Sequence, residues 1–217
     1  MLIFNFLVSV FSFVYFVCIL LRLSIFNRFL ACFYAGMHYE YIMDSEKHIV
    51  LVGMMGVGKT SLGKLLSDSL SFGFVDIDSE IVKEAGMSIS QIFDKYGESY
   101  FRTLEADTMR QYIDKGAVYV ISTGGGAMMT ASTASLILKD TLSIWIDVDL
   151  DVLVRRIGED ENRPLLQGED VLSKLKTLAK TRYPVYKQAD IHIQSGDEPI
   201  EKTFEKILDA VNEYQFK

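Results

Sequence analysis

An α/β fold, with a parallel sheet covered by helices on both faces, is what this 217-residue chain predicts. Three observations carry the prediction. Short apolar runs alternate with longer helix-compatible stretches from residue 48 onward, in a βα unit repeated five times. The first unit joins its strand to its helix through a glycine-rich loop, Gly53-Met54-Met55-Gly56-Val57-Gly58-Lys59-Thr60, which fits G-x-x-x-x-G-K-[ST]. Residues 1–43 stand apart as a hydrophobic segment of different composition.

The run His48-Ile49-Val50-Leu51-Val52 leads into the loop as a buried strand, and Ser61 to Leu70 leads out as a helix. Glycines at this spacing let backbone N–H groups turn inward around an anion, where a Cβ would be in the way. The helix adds the positive end of its dipole beneath the same anion. Gly53 through Ser61 thus form a candidate nucleotide-phosphate cradle. Lys59 can reach the β- and γ-phosphates, and the Thr60 hydroxyl can ligate Mg²⁺.

Phe74-Val75-Asp76-Ile77-Asp78 reads as a short strand ending in two carboxylates. Alternation puts both on one face or near the carboxyl rim of the sheet, where open α/β sheets bind ligands. One can hold a metal shell and the other can contact an acceptor hydroxyl. A helix cap at Asp78 accounts for only one of the two. Ser88 to Phe93 opens a helix that Gly97 breaks, and Tyr100 to Ile113 forms another. On the latter, Arg102 and Glu105 stand at i, i+3 and can pair, although a solvated pair is the commoner outcome. Ala117 to Thr123 is a buried-type strand running into Gly124-Gly125-Gly126, which admits a ligand close to the backbone.

Leu142 to Asp147 is the next strand, and its terminal aspartate is read as structural. Asp149 to Ile157 forms a helix, with Asp149 as its cap and Arg155-Arg156 complementing the C-terminal dipole. Gly158 to Asp170 is short, polar and glycine-bounded, the composition of a lid, with Arg163 inside it. Val171 to Tyr183 is a helix interrupted before Pro184. Ala189 to Ile193 is the last strand, its His192 structural. Glu198 to Tyr214 closes the chain as an amphipathic helix with Phe204, Ile207, Leu208 and Val211 inward.

Composition excludes several functions. With +1 in residues 1–43 and −7 overall, residues 44–217 carry −8, which argues against a nucleic-acid surface. Both cysteines, Cys18 and Cys32, lie in the N-terminal segment, so the remainder has no disulfide or thiolate metal site. His38, His48 and His192 lack ligand spacing.

Taken together in this order and spacing, the motifs resemble shikimate kinase, a P-loop kinase of the nucleoside-monophosphate-kinase type. The likeness runs from about residue 48 to 212. It rests on Gly53 to Thr60, Asp76-x-Asp78, Phe93, Phe101-Arg102 with Glu105, Gly124-Gly125-Gly126, Arg156, Asn162-Arg163-Pro164-Leu165-Leu166 and Arg182-x-Pro184-x-Tyr186. The resemblance implies a three-layer P-loop fold with five parallel strands in the order 2-3-1-4-5. It implies transfer of the ATP γ-phosphoryl group to the 3-hydroxyl of shikimate by a cytoplasmic monomer. Arg102 and Arg182 would grip the substrate carboxylate, with Glu105 holding Arg102. Asp78 would orient or deprotonate the attacking hydroxyl. Gly125 and Gly126 would admit the ring, with Phe93 and Phe101 as walls. Lys59 and Arg163 would stabilise the phosphates, Thr60 and Asp76 would serve Mg²⁺, and Arg156 would stack on adenine. One departure stands out: relatives often carry an arginine near adenine where this chain reads Ser195-Gly196-Asp197-Glu198-Pro199. Adenine contacts there are expected from the backbone.

Other readings stay open at this stage. Another small-metabolite kinase, such as a gluconate kinase, shares the fold, although Arg102, Arg182 and the glycine triplet favour a cyclic carboxylate. A GTPase switch would need an Asn-Lys-x-Asp motif, which is absent. A membrane-tethered, non-catalytic nucleotide-binding module is the third. Residues 2–21 carry no charge and are long enough for a transmembrane helix, with Arg22 and Arg28 biasing its C-terminal side toward the cytoplasm. The simpler expectation is an upstream start codon, with the functional protein beginning at Met43.

Overall fold

Four residues of the first strand, Ile49–Val52 (β1), are exposed by 1% or less. Because successive side chains of a strand point to opposite faces, burial at every position means that both faces of the sheet are covered. The computed structural model describes residues 47–158 and 171–215, all within the unit Met43–Lys217. The hydrophobic N-terminal segment, including the candidate span 2–21, and Arg163 with its neighbours lie outside the described residues. Among the described residues, no helix is long and apolar enough to cross a membrane.

The elements alternate as expected. After β1 come α1 (Lys59–Leu70), β2 (Gly73–Asp76), α2 (Ile77–Ala85), α3 (Ile89–Ile113) and β3 (Tyr119–Ser122). A short 3₁₀ turn, Ala127–Met129, precedes α4 (Ala131–Asp140), β4 (Leu142–Val148) and α5 (Leu150–Gly158). The chain closes with α6 (Val171–Tyr186), β5 (Ile191–Ser195) and α7 (Ile200–Gln215). The five strands are parallel, in the order β2-β3-β1-β4-β5 that the resemblance implied. The edge strand β5 alternates buried and exposed residues, unlike β1. His48 fastens the start of β1 to two other elements. Its Nδ1 accepts from the Tyr119 N–H (3.2 Å) and its Nε2 lies 3.0 Å from the Ile113 carbonyl. His192 stacks on Trp145 with ring centroids 4.1 Å apart.

Several expected boundaries are corrected. The second strand stops at Asp76 rather than Asp78, because the Asp76 carboxylate accepts from the Ser79 N–H and caps α2. Asp78 is therefore neither a strand residue nor the cap; it sits in the first turn of the helix. The third strand is shorter than Ala117 to Thr123, and the last lies two residues later than Ala189 to Ile193. The closing helix begins at Ile200, not Glu198. Pro184 does not end α6, which continues to Tyr186. Proline forfeits one N–H near the helix end, and Lys187 N–H still donates to Tyr183 O at 3.0 Å. Gly97 breaks the backbone of α3 with φ 81°, although the two halves run on as one element.

Candidate active site

The loop after β1 is built for an anion. Gly53 has φ 144°, and a Cβ there would lie 2.6 Å from the Ile146 carbonyl oxygen, so no other residue fits. Gly58 occupies the cap position of α1 with no side chain accepting from the helix, leaving its first-turn N–H groups for a ligand. Lys59 is buried, with Nζ donating to the carbonyls of Gly53 (2.9 Å) and Met54 (2.8 Å) across the loop. Thr60 Oγ1 donates to Asp76 Oδ2 at 2.7 Å and lies 3.5 Å from Ser122 Oγ. Hydroxyl and carboxylate thus meet as hard oxygen donors beside the loop, a set that suits Mg²⁺ completed by phosphate oxygens and water. Met55, Gly56, Ser61, Asp78, Gly124, Gly125 and Arg156 also border this recess of about 400 Å³.

The acceptor end is organised by the glycine triplet, each member facing different charged groups. A Cβ on Gly124 would come within 2.8 Å of Asp78 Oδ1 and 3.0 Å of Glu105 Oε1. On Gly125 it would meet Arg182 Nη1 at 3.1 Å, and on Gly126 it would meet Arg102 Cζ at 2.8 Å. Asp78 Oδ1, Glu105 Oε1 and Arg182 Nη1 are buried and have no hydrogen-bond partner among the described residues. Orphaned buried polar atoms are costly, and three converging on one backbone stretch mark a place for a polar ligand.

Electrostatics follow from that burial. Desolvation, reinforced by the Asp76 carboxylate, raises the proton affinity of Asp78, with Lys59 and Arg102 opposing. Glu105 is fully buried; desolvation pushes its carboxyl up to about 7 although Arg102 pulls it down. Burial works against the charge on Arg102, but Glu105 (2.8 Å) and Glu98 (2.9 Å) outweigh it and hold the guanidinium firmly ionised. The Arg102–Glu105 pair is therefore a buried one, not the solvated pair that is commoner at this spacing. Phe93 and Phe101 pack beside it with tilted rings, their centroids 4.9 Å apart.

Comparison with known proteins decides the family. The family model "Shikimate kinase" matches residues 55–212. The chain belongs to the shikimate kinase family. It is 42% identical to the shikimate kinase of Caulobacter vibrioides over 167 residues, covering 77% of this chain and 83% of that one. The shikimate kinase of Novosphingobium aromaticivorans is 44% identical over 169 residues, covering 76% and 88%. Among solved structures, a shikimate kinase from Acinetobacter baumannii in complex with shikimate has TM-score 0.74 at 33% identity, covering 80% of this chain and 97% of that one. The Aquifex aeolicus enzyme gives 0.66 at 36% identity, covering 76% and 96%.

Within that family frame, the structure gathers Lys59, Thr60, Asp76, Asp78, Gly125 and Arg156 around the phosphate recess, and sets Arg102, Glu105 and Arg182 against the glycine triplet with Gly126. Three contributors had no role in the sequence reading. Ser122 sits beside Thr60, and Glu98 holds the second edge of Arg102. Tyr186, buried under Trp145, donates its hydroxyl to the Gly125 carbonyl. Only Tyr186 left a signal, two residues beyond Pro184 in a motif already quoted. Arg156, expected at adenine, donates from Nη2 to the Gly196 carbonyl at 2.7 Å.

Proposed function

We propose that this chain transfers the γ-phosphoryl group of ATP to the 3-hydroxyl of shikimate, giving shikimate 3-phosphate and ADP. The observation that carries the reading is the glycine triplet: two carboxylates and two guanidinium groups face it, three of their atoms without hydrogen-bond partners among the described residues, beside the phosphate loop. A ring bearing hydroxyls and one carboxylate is the complement of that arrangement. Arg182 and Arg102 take the carboxylate, the latter pre-aimed by Glu98 and Glu105. Phe93 and Phe101 supply the apolar wall.

In the transfer, the bond from the acceptor oxygen to Pγ forms as the bond from Pγ to the β–γ bridging oxygen breaks, and the acceptor proton passes to Asp78. The raised proton affinity of Asp78 is the direction a proton acceptor needs. Lys59 leaves the loop carbonyls for the phosphates, and Arg156 borders the base. Arg163 would cover the phosphates and screen their charge while water is excluded. Mg²⁺ arriving with ATP would be held by Thr60 and Asp76 and would offset phosphate charge. The reading carries with it the cytoplasmic monomer that the resemblance implies.

A coupled assay of the full chain with ATP, Mg²⁺ and shikimate tests this. ADP release that depends on shikimate is expected. Release driven by gluconate and not by shikimate would overturn the assignment.

A further inference from the structure

Arg156 borders two recesses, the phosphate site and a second one of about 280 Å³ that shares Gly56 and Gly58 with it. A triphosphate lying in the first leaves its base for the second, where Val57, Leu62 and Ile200 provide apolar wall. The polar side of this recess carries a run of hydroxyls whose protons can be assigned. Lys206 holds Glu198 ionised through a 2.5 Å contact, so that carboxylate can only accept. Thr203 Oγ1 donates to Glu198 Oε1 at 3.3 Å, which uses its single proton. Ser195 Oγ lies 2.8 Å from Thr203 Oγ1, and the proton between them must then come from Ser195. Ser195 and Thr203 are each 2% exposed, and both line the recess. Ser195 is left with lone pairs and no proton to offer the recess. The Gly196 carbonyl, the neighbouring backbone acceptor, already takes one hydrogen bond from Arg156 and keeps one lone pair.

We propose that the chain Glu198–Thr203–Ser195 sets the base preference of the phosphoryl donor, by presenting the Ser195 oxygen as an acceptor that fits a 6-amino purine and repels a 6-oxo purine. This rests on the kinase reading above and names, within it, residues that select the nucleotide. A buried polar mismatch discriminates far more strongly than an apolar one.

Shikimate phosphorylation by the full chain, with ATP and with inosine triphosphate as donors, changes the purine only at its 6-position and the adjoining N1. The intact protein is expected to favour ATP in kcat/KM. Thr203→Val removes the proton sink, freeing the Ser195 hydroxyl to donate, and is expected to narrow the ATP to inosine triphosphate ratio about tenfold, equivalent to roughly 1.4 kcal/mol. Thr203→Ser, which keeps a hydroxyl, restores the ratio. Thermal midpoints of the three proteins separate this from misfolding: the ratio must move in a folded Thr203→Val protein. Should Thr203→Val not fold, Ser195→Ala, which deletes the acceptor itself, must narrow the same ratio. Equal use of both donors by the intact protein, or a ratio unmoved by either substitution, overturns the proposal and leaves the kinase reading standing. No turnover from either donor overturns both.

Discussion

Asp78 and Glu105 reach Gly124 from two different helices, and burial raises the proton affinity of both, yet their surroundings separate their roles. Asp78 opens onto the recess that borders Lys59 and Thr60, whereas Glu105 is locked to Arg102 at 2.8 Å. Asp78→Asn is therefore expected to abolish transfer while ATP affinity changes less than about twofold, within the scatter of a removed remote contact. Equal loss of nucleotide binding, measured by calorimetry, would show that Asp78 serves the metal instead. Glu105 has a consequence for stability. Its carboxyl titrates near 4.5 ordinarily and at about 7 when folded, so between those values the folded chain keeps a proton that the unfolded chain has lost. Stability from this group is full below pH 4.5 and falls as pH rises toward 7, by at most on the order of 3 kcal/mol. Glu105→Gln should flatten that fall relative to the wild type in urea melts at pH 5 and pH 8, while raising the KM for shikimate because Arg102 keeps only Glu98 as a charged partner.

At the scale of elements, the site depends on how helices begin and end. α2 starts at Asp76, and that cap places Asp78 one helical step inside, aimed at the glycine triplet. α3 starts with a complete capping box, in which the Ser88 hydroxyl accepts from Gln91 N–H while the Gln91 side chain accepts from Ser88 N–H. Ser88→Ala should cost about 1 kcal/mol in a urea melt without changing the KM for ATP. The last turn of α6 carries Arg182 on one side of Pro184 and Tyr186 on the other. Burial pushes the Tyr186 hydroxyl up to about 12, keeping it a donor to the Gly125 carbonyl at every working pH. Tyr186→Phe keeps the ring against Trp145 and removes only that hydrogen bond. The KM for shikimate should rise about threefold to tenfold, roughly 0.6–1.4 kcal/mol, with the KM for ATP unmoved. A parallel rise in both constants would reduce Tyr186 to a packing residue.

For the whole molecule, the parallel sheet sets where chemistry sits. β1 lies between β3 and β4, and the ends of β1, β2 and β3 deliver the phosphate loop, Asp76 and the glycine triplet to one rim. That centre has no slack: Leu51 is 0% exposed with neighbours on both faces. Leu51→Ala is expected to cost about 2–5 kcal/mol. Gln194→Ala on the exposed positions of edge strand β5 should cost under about 0.5 kcal/mol. Chemical denaturation of the two variants checks the contrast.

The fully buried β1 was legible because an apolar run this short fits a parallel sheet, and the phosphate loop was legible because its glycines answer a local steric demand. Arg102 and Glu105 showed their spacing but not their burial, since exposure depends on elements far away in the chain. Asp78 was expected on a strand because alternation alone cannot see Asp76 capping a helix three residues ahead. Tyr186 and Ser122 act through contacts 61 and 62 residues distant, to Gly125 and Thr60, for which no local pattern exists. The sequence by itself therefore determined the fold class, the strand order through its resemblance, and the residue types of the site. Only the tertiary structure decided which charged group faces which glycine and which hydroxyls meet beside the second recess. Local periodicity records what a segment must bury; pairing between segments is set by where the folded sheet brings their ends together.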